Sequence, residues 1–324
     1  YVNPEAPWPE IEKLNKIIST SNQSLKPRAT LYPKYFNDLD SFSSPRISSQ
    51  LLQITDSQSL IRSDFWRSGI SNKIPSYPEA IFNSNIRQSI DNVEKNPSIE
   101  NIQQLLETSD NDFKYVTDYA NDVKSQIHGS DITFVVNRNI NYTNICSFKC
   151  NFCAFSKGRG HDDLRGKPYN ISREEIIRRT NEAVARGATE VCLQGGIHPK
   201  YSGETYLDIV RAIRSASSSI HIHAFSPLEI DHGRKTLNIS AKEFLVELKK
   251  AGLNSLPGTA AEILHDEIRA IICPDKLTTK QWIEIIETAH SVGLPTTSTM
   301  MFGHIEKTAH VAHHLLELLN LQKK

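Results

Sequence analysis

Three cysteines lie close together in a chain that contains five cysteines in all. Cys146, Cys150 and Cys153 are spaced as Cys-x3-Cys-x2-Cys. Thiolates this close in sequence can coordinate one metal centre. A cubane iron–sulfur cluster has one more iron than these three cysteines can ligate, so one iron is left open to chelate a small molecule. The spacing therefore predicts a catalytic iron–sulfur centre as the leading interpretation.

A structural zinc site is the alternative that the same residues leave open. His161 stands at a permissible distance along the chain to complete a Cys3His set. The loop over 157–167 is rich in glycine and charged residues, which does not indicate a folded zinc knuckle. The remaining cysteines, Cys192 and Cys273, stand alone and are predicted to be small buried side chains rather than ligands.

The elements around the cysteines alternate between strand and helix. A capping residue followed three positions later by Glu or Gln begins each of three predicted helices, and a glycine ends each one: Ser172, Glu175 and Gly187; Ser240, Glu243 and Gly252; Thr278, Gln281 and Gly293. Apolar segments predict strands near 132–138, 190–194, 220–225, 253–257 and 296–302. A further helix is predicted near 307–322. This alternation predicts an α/β fold, a partial TIM-like (βα) barrel of about five units.

Such a barrel keeps its chemistry at the carboxyl ends of its strands. The three cysteines directly follow the first predicted strand, and Gln194, Gly195 and Gly196 end the second. Two adjacent glycines let a ligand approach the backbone closely, although a plain turn explains them equally well. The predicted strand order therefore brings the cysteines and this tripeptide to one edge of the sheet.

The rest of the chain divides by composition. Residues 1–36 contain several prolines and one short amphipathic segment, and residues 37–97 are rich in Ser, Asn and Asp, which predicts a loop-rich linker. Residues 98–128 show helical spacing of apolar residues, and the barrel is predicted over 129–324. Because the chain opens at Tyr1 and the predicted barrel stops after about five units, we expect a piece of a longer polypeptide.

Overall charge and hydropathy exclude several classes of protein. The 324 residues carry 37 basic and 37 acidic side chains, so the net charge is zero and no basic excess predicts nucleic-acid binding. The apolar runs are too short to span a bilayer. Few cysteines in a chain this long argue against a disulfide framework and predict a reducing, cytoplasmic location, or an organelle if a targeting segment precedes Tyr1.

The cysteine motif resembles that of the radical S-adenosylmethionine (SAM) superfamily. Within it, longer strings are similar to the tyrosine-using half of the FO synthase family, which builds a deazaflavin chromophore: NRNINYTNIC at 137–146, CAFS at 153–156, EVCLQGGIHP at 190–199, HAFSPLE at 223–229, LPGTAAEIL at 256–264, CPDK at 273–276 and MFGH at 301–304. The string YVNPEAPWP at 1–9 resembles the end of the cyclising half. The resemblance thus implies a fused enzyme, with residues 1–36 as the tail of its first half.

The resemblance implies a transferase. Cys146, Cys150 and Cys153 would hold a 4Fe–4S cluster whose open iron binds SAM, and one electron would cleave SAM to a 5′-deoxyadenosyl radical. That radical would take a hydrogen atom from L-tyrosine, whose hydroxybenzyl group would then join 5-amino-6-(D-ribitylamino)uracil. The implied partners are these two substrates, a reductant or electron-transfer protein, and the cyclising half.

The resemblance also suggests residues for the site. Gln194, Gly195 and Gly196 would contact the methionine part of SAM, and Glu229 and Glu262 would contact SAM or substrate. Further residues at strand ends are candidates for the substrate pocket: Tyr142, Asn144, Ser226 and His304. The histidines near the carboxyl terminus, His310, His313 and His314, are interpreted as surface or packing residues on a helix.

Three other interpretations remain open from the sequence. A menaquinone (futalosine) pathway radical SAM enzyme shares several of these strings and would act on a different substrate. A zinc-stabilised module would bind one zinc and no sulfide. A chain with an incomplete barrel would be inactive, because unpaired sheet edges and exposed apolar faces impair folding.

Overall fold

The computed structural model describes residues 11–20, 25, 27–29, 31–55, 59–61, 84–150, 152–153 and 168–324. The chain divides into two compact units, Tyr1–Ser76 and Tyr77–Lys324. The N-terminal string at 1–9 and the zinc candidate His161 both lie outside the described residues. None of the described helices is both long enough and apolar enough to cross a membrane.

The first unit contains short helices, of which the first coincides with the amphipathic segment of the predicted tail and the last lies within the predicted linker. Its elements are α1 (Ile11–Ser19), a 3-10 helix (Pro33–Ser41) and α2 (Pro45–Ile54). Helix α2 starts with Ser44 in an extended conformation and Pro45 in the first turn, a strong helix-starting pair. The expectation of a loop-rich segment over 37–97 is therefore wrong for this part, because local start signals outweigh the polar composition.

The second unit begins with three helices, α3 (Ser84–Lys95), α4 (Ile99–Leu106) and α5 (Asp110–His128). The two helices predicted over 98–128 are confirmed, and the Ser98 hydroxyl accepts the Asn101 amide at the start of α4. Helix α3 lies inside the predicted linker and is a second correction. Ile86 and Ile90 are buried one helical turn apart on α3, so packing stabilises it despite its polar composition.

A parallel sheet carries the strands in the order β1 (Asn137–Asn141), β2 (Glu190–Gln194) and β3 (His221–Ala224). The second and third strands lie where the sequence predicts them. The first was predicted at 132–138 but begins later, because Asn137 pairs with Glu190, the first residue of β2. Residues 132–136 extend beyond the end of this partner strand, and Ile132 and Phe134 are highly exposed.

The fourth and fifth predicted strands are reduced to single parallel bridges. One joins His223 to Ser255, and the other joins Leu256 to Thr296. Pro257 follows Leu256 in the fourth strand position, and Pro295 precedes Thr296 in the fifth. Proline has no amide hydrogen, so it cannot continue the hydrogen-bond ladder of a strand. The fold is thus the predicted α/β partial barrel, with three full strands and two strand positions held by bridges.

Helices accompany this sheet, and all except Asp266–Ile272 contribute buried residues to one apolar core with the strands. They are α6 (Arg173–Ala185), α7 (Gly203–Ala216), α8 (Pro227–Leu237), α9 (Ala241–Ala251), α10 (Asp266–Ile272), α11 (Thr279–Ser291) and α12 (Thr308–Gln322). Ile268 and Ile272 of the exception, α10, pack with Cys150 and Cys273 instead. The side chains that face the helices from the strands are fully buried, among them Ile140, Val191, Leu193 and Ile222. Helix α12 also packs on α4. The apolar core therefore lies between the sheet and the helices, and the opposite face of the sheet is polar.

The predicted helix starts are confirmed. Ser172 accepts the Glu175 amide at the start of α6, while Ser240 with Glu243 and Thr278 with Gln281 form reciprocal capping boxes. Gly252 ends α9 in the left-handed conformation with φ of 118°. Each cap satisfies amides that the helix itself leaves without a partner.

Replacement of a capping serine tests this assignment. Ser240→Ala removes the hydroxyl that accepts the Glu243 amide at 3.2 Å and should lower the free energy of unfolding by about 1 kcal/mol. Urea denaturation measures the change, with Ser218→Ala, at an exposed position outside any helix, as the matched control. Equal losses in both variants would contradict a capping role for Ser240.

Candidate active site

The predicted site residues line one cavity of about 200 Å³ at the carboxyl ends of the strands. Cys146, Cys150 and Cys153 form one wall, and Gln194, Gly195 and Gly196 form the next. Glu229 and Glu262 line the same cavity. The structure thus brings together every residue that the sequence analysis assigned to cluster or SAM. A larger depression of about 600 Å³ between His265 and Lys324 contains none of them.

The chain segment after β1 is held against the segment after β2 by backbone hydrogen bonds. The Gly196 amide donates to the Thr143 carbonyl at 3.0 Å, and the Ser147 amide donates to the Ile197 carbonyl at 2.9 Å. The Ile197 amide donates in turn to the Cys146 sulfur at 3.3 Å. This pairing fixes the first cysteine beside the glycine tripeptide.

Close approach, rather than an unusual backbone angle, requires the two glycines. A β-carbon on Gly195 would lie 2.2 Å from the Tyr142 ring, and one on Gly196 would lie 2.3 Å from the Ile145 carbonyl oxygen. Neither distance is sterically possible without a shift of the neighbour. Glycine at both positions therefore lets the two segments run side by side at the cavity wall.

Three cysteine side chains line one cavity, and such a set of sulfur donors suits an iron–sulfur cluster. All five cysteines of the chain are thiols, and burial raises the pKa of Cys146 and raises that of Cys150 to about 12. Nearby Lys276 lowers both pKa values, but burial has the larger effect. A bound cationic metal reverses this balance, because it stabilises the thiolate directly. The donor set therefore fits an iron–sulfur cluster.

Glu229 is more constrained than a loop carboxylate. It is 3% exposed at the start of α8, where one oxygen accepts the Ser226 amide at 2.7 Å and the Ser226 hydroxyl at 2.6 Å. The other oxygen accepts the Tyr142 hydroxyl. Burial raises the pKa of Glu229, and the hydrogen bonds from Ser226 and Tyr142 oppose that rise. Glu229 thus fixes both the helix start and the Tyr142 ring beneath Gly195.

Glu262 forms a second buried contact that the sequence analysis did not anticipate. Its carboxylate accepts a hydrogen bond from the Lys276 ammonium at 2.5 Å, and both side chains are only 12% exposed. Lys276 also lines the cavity beside the cysteines. The string CPDK at 273–276 contains this lysine, but its spacing gave no indication of a partner. Glu262 has a φ of 47°, which is uncommon for a residue other than glycine and indicates a constrained loop.

Buried side chains from two helices hold that loop. The Arg269 guanidinium is 3% exposed and donates to the carbonyls of Ala260, Ala261 and Leu277. His314 on α12 is fully buried, and its Nδ1 accepts the Leu264 amide at 2.9 Å. His314 was interpreted as a surface or packing residue, and the structure makes it a support for the cavity wall.

Of the other candidates for the substrate pocket, one lines the cavity and the rest do not. Ser226 lines the cavity, and Tyr142 lies beneath Gly195. Asn144 is buried and accepts the Tyr169 amide at 2.8 Å, so it fixes a neighbouring segment. His304 is exposed beside Glu306 and does not line the cavity.

Comparison with known proteins agrees with this geometry. Residues 140–319 match the family model described as the radical SAM superfamily. The chain is 35% identical to FO synthase of Mycobacterium leprae in an alignment over 373 positions, gaps included, which covers 100% of this chain and 43% of the relative. It is 46% identical over 237 residues to the 5-amino-6-(D-ribitylamino)uracil–L-tyrosine 4-hydroxyphenyl transferase of Methanococcus aeolicus, with 72% of this chain and 64% of the relative covered.

The fold has a counterpart among solved structures. The crystal structure of methylornithine synthase superposes with a TM-score of 0.55 at 15% identity, covering 72% of this chain and 64% of that one. Identity this low supports the fold alone. The chain spans less than two thirds of the length of the two sequence relatives above.

Loss of any cavity cysteine should abolish cluster binding. We expect anaerobically reconstituted protein to contain iron and sulfide, and Cys150→Ser to lose nearly all of both, because a serine hydroxyl is a poor iron ligand in this set. Cys192→Ser, on β2 outside the cavity, is the matched control and should retain the cluster. Zinc without sulfide in the unmodified protein would contradict the assignment.

The His314 support should make stability depend on pH. Burial lowers the pKa of His314 from 6.5 to about 4, so the unfolded chain takes up more protons than the folded chain as the pH falls through this interval. The free energy of unfolding should therefore decrease from pH 6.5 to 4, and His314→Gln should weaken that dependence. Exposed His128→Gln is the control, and identical pH profiles for both variants would contradict the role of His314.

Proposed function

This chain belongs to the radical SAM superfamily, and we propose on that premise that it joins the hydroxybenzyl group of L-tyrosine to 5-amino-6-(D-ribitylamino)uracil. The observation that carries the proposal is the single cavity that collects Cys146, Cys150 and Cys153 with the tripeptide at 194–196. The choice of substrates is supported by the name of the relative at 46% identity. Membership of the superfamily implies a 4Fe–4S cluster and SAM as cofactors.

Different residues of the cavity would hold the cluster and SAM. Cys146, Cys150 and Cys153 would ligate the cluster, and their number leaves one iron for SAM. Backbone groups of Gln194, Gly195 and Gly196 would contact the methionine part of SAM, because glycine allows backbone to approach a ligand closely. When bound, the cluster and SAM supply the one-electron chemistry that takes a hydrogen atom from a substrate.

The two buried carboxylates would act differently. Glu262 and Lys276 face the cavity as an ion pair, so they offer both an acceptor and a cation for the polar end of SAM. Both oxygens of Glu229 are already engaged by Ser226 and Tyr142, so its part would be to hold the floor of the cavity. Phe148 and Leu228 add apolar wall beside these groups. Such a wall limits water near reactive intermediates.

The remaining partners follow from the same proposal. The FO synthase match spans the whole of this chain, whereas the match to the transferase of Methanococcus aeolicus spans 72% of it, which supports fusion with a cyclising half. A reductant or electron-transfer protein would supply the electron. Five thiols and an oxygen-sensitive cluster suit the reducing cytoplasm.

The same observations weigh against the other interpretations. The name of the transferase relative favours the diaminouracil substrate over one of the futalosine type. Superfamily membership favours iron–sulfur over zinc. Transferase activity measured on this chain would distinguish the proposed function from the interpretation that its incomplete barrel is inactive.

Product analysis tests the proposal directly. Anaerobic protein with dithionite, SAM, ring-deuterated L-tyrosine and the diaminouracil should give a new product, whose mass equals that of the diaminouracil joined to a labelled hydroxybenzyl group. Omission of any component, or use of the Cys150→Ser variant, should abolish it. SAM cleavage without transfer of the label, or turnover only with an aminofutalosine-type substrate, would contradict the proposed function.

A further inference from the structure

The inner face of the sheet is polar along all three strands. Closed eight-stranded TIM barrels are usually filled by layers of branched aliphatic side chains. Here, alternation along each strand sends polar residues to the face opposite the helices: Asn137, Asn139 and Asn141 on β1, Glu190, Cys192 and Gln194 on β2, and His221 and His223 on β3. The apolar core lies on the other side, so the packing of the core does not require this composition.

Strand register arranges these side chains in rows. Asn137 lies beside Glu190, which lies beside His221. The side-chain amide of Asn137 donates a hydrogen bond to the Glu190 carboxylate at 3.4 Å. In the next row, Asn139 lies beside Cys192, which lies beside His223. The third row pairs Asn141 with Gln194. These rows form a continuous strip of hydrogen-bond donors and acceptors.

A serine from the fourth strand position orders the two histidines. The Ser255 hydroxyl lies 2.7 Å from Nε2 of His221 and 2.7 Å from Nδ1 of His223. Burial lowers the pKa of His223, so its ring is neutral near pH 7 and can both donate and accept hydrogen bonds. Glu190 lies in the same row as His221, and its side chain is 16% exposed.

The polar strip leads to the cysteine cavity. Gln194 belongs to its third row and also lines that cavity. From Glu190 to Gln194 the strip is about 13 Å long, because a strand rises about 3.3 Å per residue. A ligand that extends along the strip would therefore have one end at the first row and the other at the cavity.

We propose that this strip binds the ribityl-diaminouracil substrate, with Glu190, His221 and His223 contacting the ribityl chain and the uracil ring directed toward the cavity. The inference rests on the proposed function and assigns residues to one of its two substrates. Successive carbons of a ribityl chain carry hydroxyls, which suit a carboxylate that can accept two of them and imidazoles that can donate or accept. The phenol ring of tyrosine needs apolar walls, which the strip does not offer.

A metal ion is the competing occupant of the same residues. One ligand atom each from Glu190, His221 and His223 lies within 4.8 Å of the others. The bonds from Ser255 already engage one nitrogen of each histidine, which favours a hydrogen-bonding site over metal ligation. Metal binding is therefore kept as an outcome that the experiment can detect.

Calorimetric titration of the anaerobic full chain with 5-amino-6-(D-ribitylamino)uracil tests the proposal. Glu190→Gln and His223→Gln should each weaken binding roughly tenfold or more, because each removes a hydrogen bond to a charged or oriented group. The exposed variants Glu284→Gln and His128→Gln are matched controls and should bind as the unmodified protein does. Thermal unfolding of each variant shows that the fold is retained.

A second ligand isolates the ribityl contact. We expect 5,6-diaminouracil, which lacks the ribityl chain, to bind weakly and with equal affinity to the unmodified protein and to Glu190→Gln. SAM and L-tyrosine affinities should be the same in all variants. This pattern makes a double-substitution cycle between the ribityl chain and Glu190, which a general loss of structure would not reproduce.

The outcomes separate this inference from the proposed function. If the unmodified protein does not bind the ribityl-diaminouracil, the proposed function is contradicted. If it binds and both strip variants bind equally well, this inference alone is overturned. Stoichiometric zinc uptake that is lost in His223→Gln would also overturn it, because the residues would then be metal ligands.

Discussion

The site depends on the close parallel packing of two chain segments, 142–147 directly after β1 and 194–197 at the end of β2. Backbone hydrogen bonds join these segments, and the missing side chains of Gly195 and Gly196 allow the contact. Any β-carbon there would meet the Tyr142 ring or the Ile145 carbonyl. Because this packing fixes Cys146 beside the glycine tripeptide, it sets the distance between a bound cluster and the contacts proposed for SAM.

Buried polar groups hold the walls of the cavity in place, beside the apolar side chains that also line it. Glu229 links the start of α8 to Tyr142, while Arg269 and His314 hold the loop that carries Glu262. Each of these groups would be costly to bury alone, and hydrogen bonds offset this cost for Glu229, for Arg269 and for Nδ1 of His314. Among the described residues, Nε2 of His314 is buried without a partner. A network of this kind favours one loop conformation over others, which a site that must position two cofactors requires.

Local signals in the sequence predicted most of what positions the site. Capping pairs and glycines located α6, α9 and α11, and apolar segments located β2 and β3, because both signals depend on near neighbours. The helices α7, α8 and α10 were not predicted. The start of β1 was not predictable, since it depends on where β2 begins. The reduction of the later strands was missed, although Pro257 and Pro295 were signals for it in the sequence. The Lys276–Glu262 pair and the role of His314 join residues far apart in sequence, so spacing alone could not reveal them.

The central claim is that three cysteines hold a cluster with one iron open to SAM. Electron paramagnetic resonance on anaerobically reconstituted, dithionite-reduced protein tests it most directly, with spectra recorded before and after SAM is added. The account predicts the signal of a reduced 4Fe–4S cluster whose shape changes when SAM binds. A cluster signal that SAM leaves unchanged, or a silent sample that contains zinc, would contradict it.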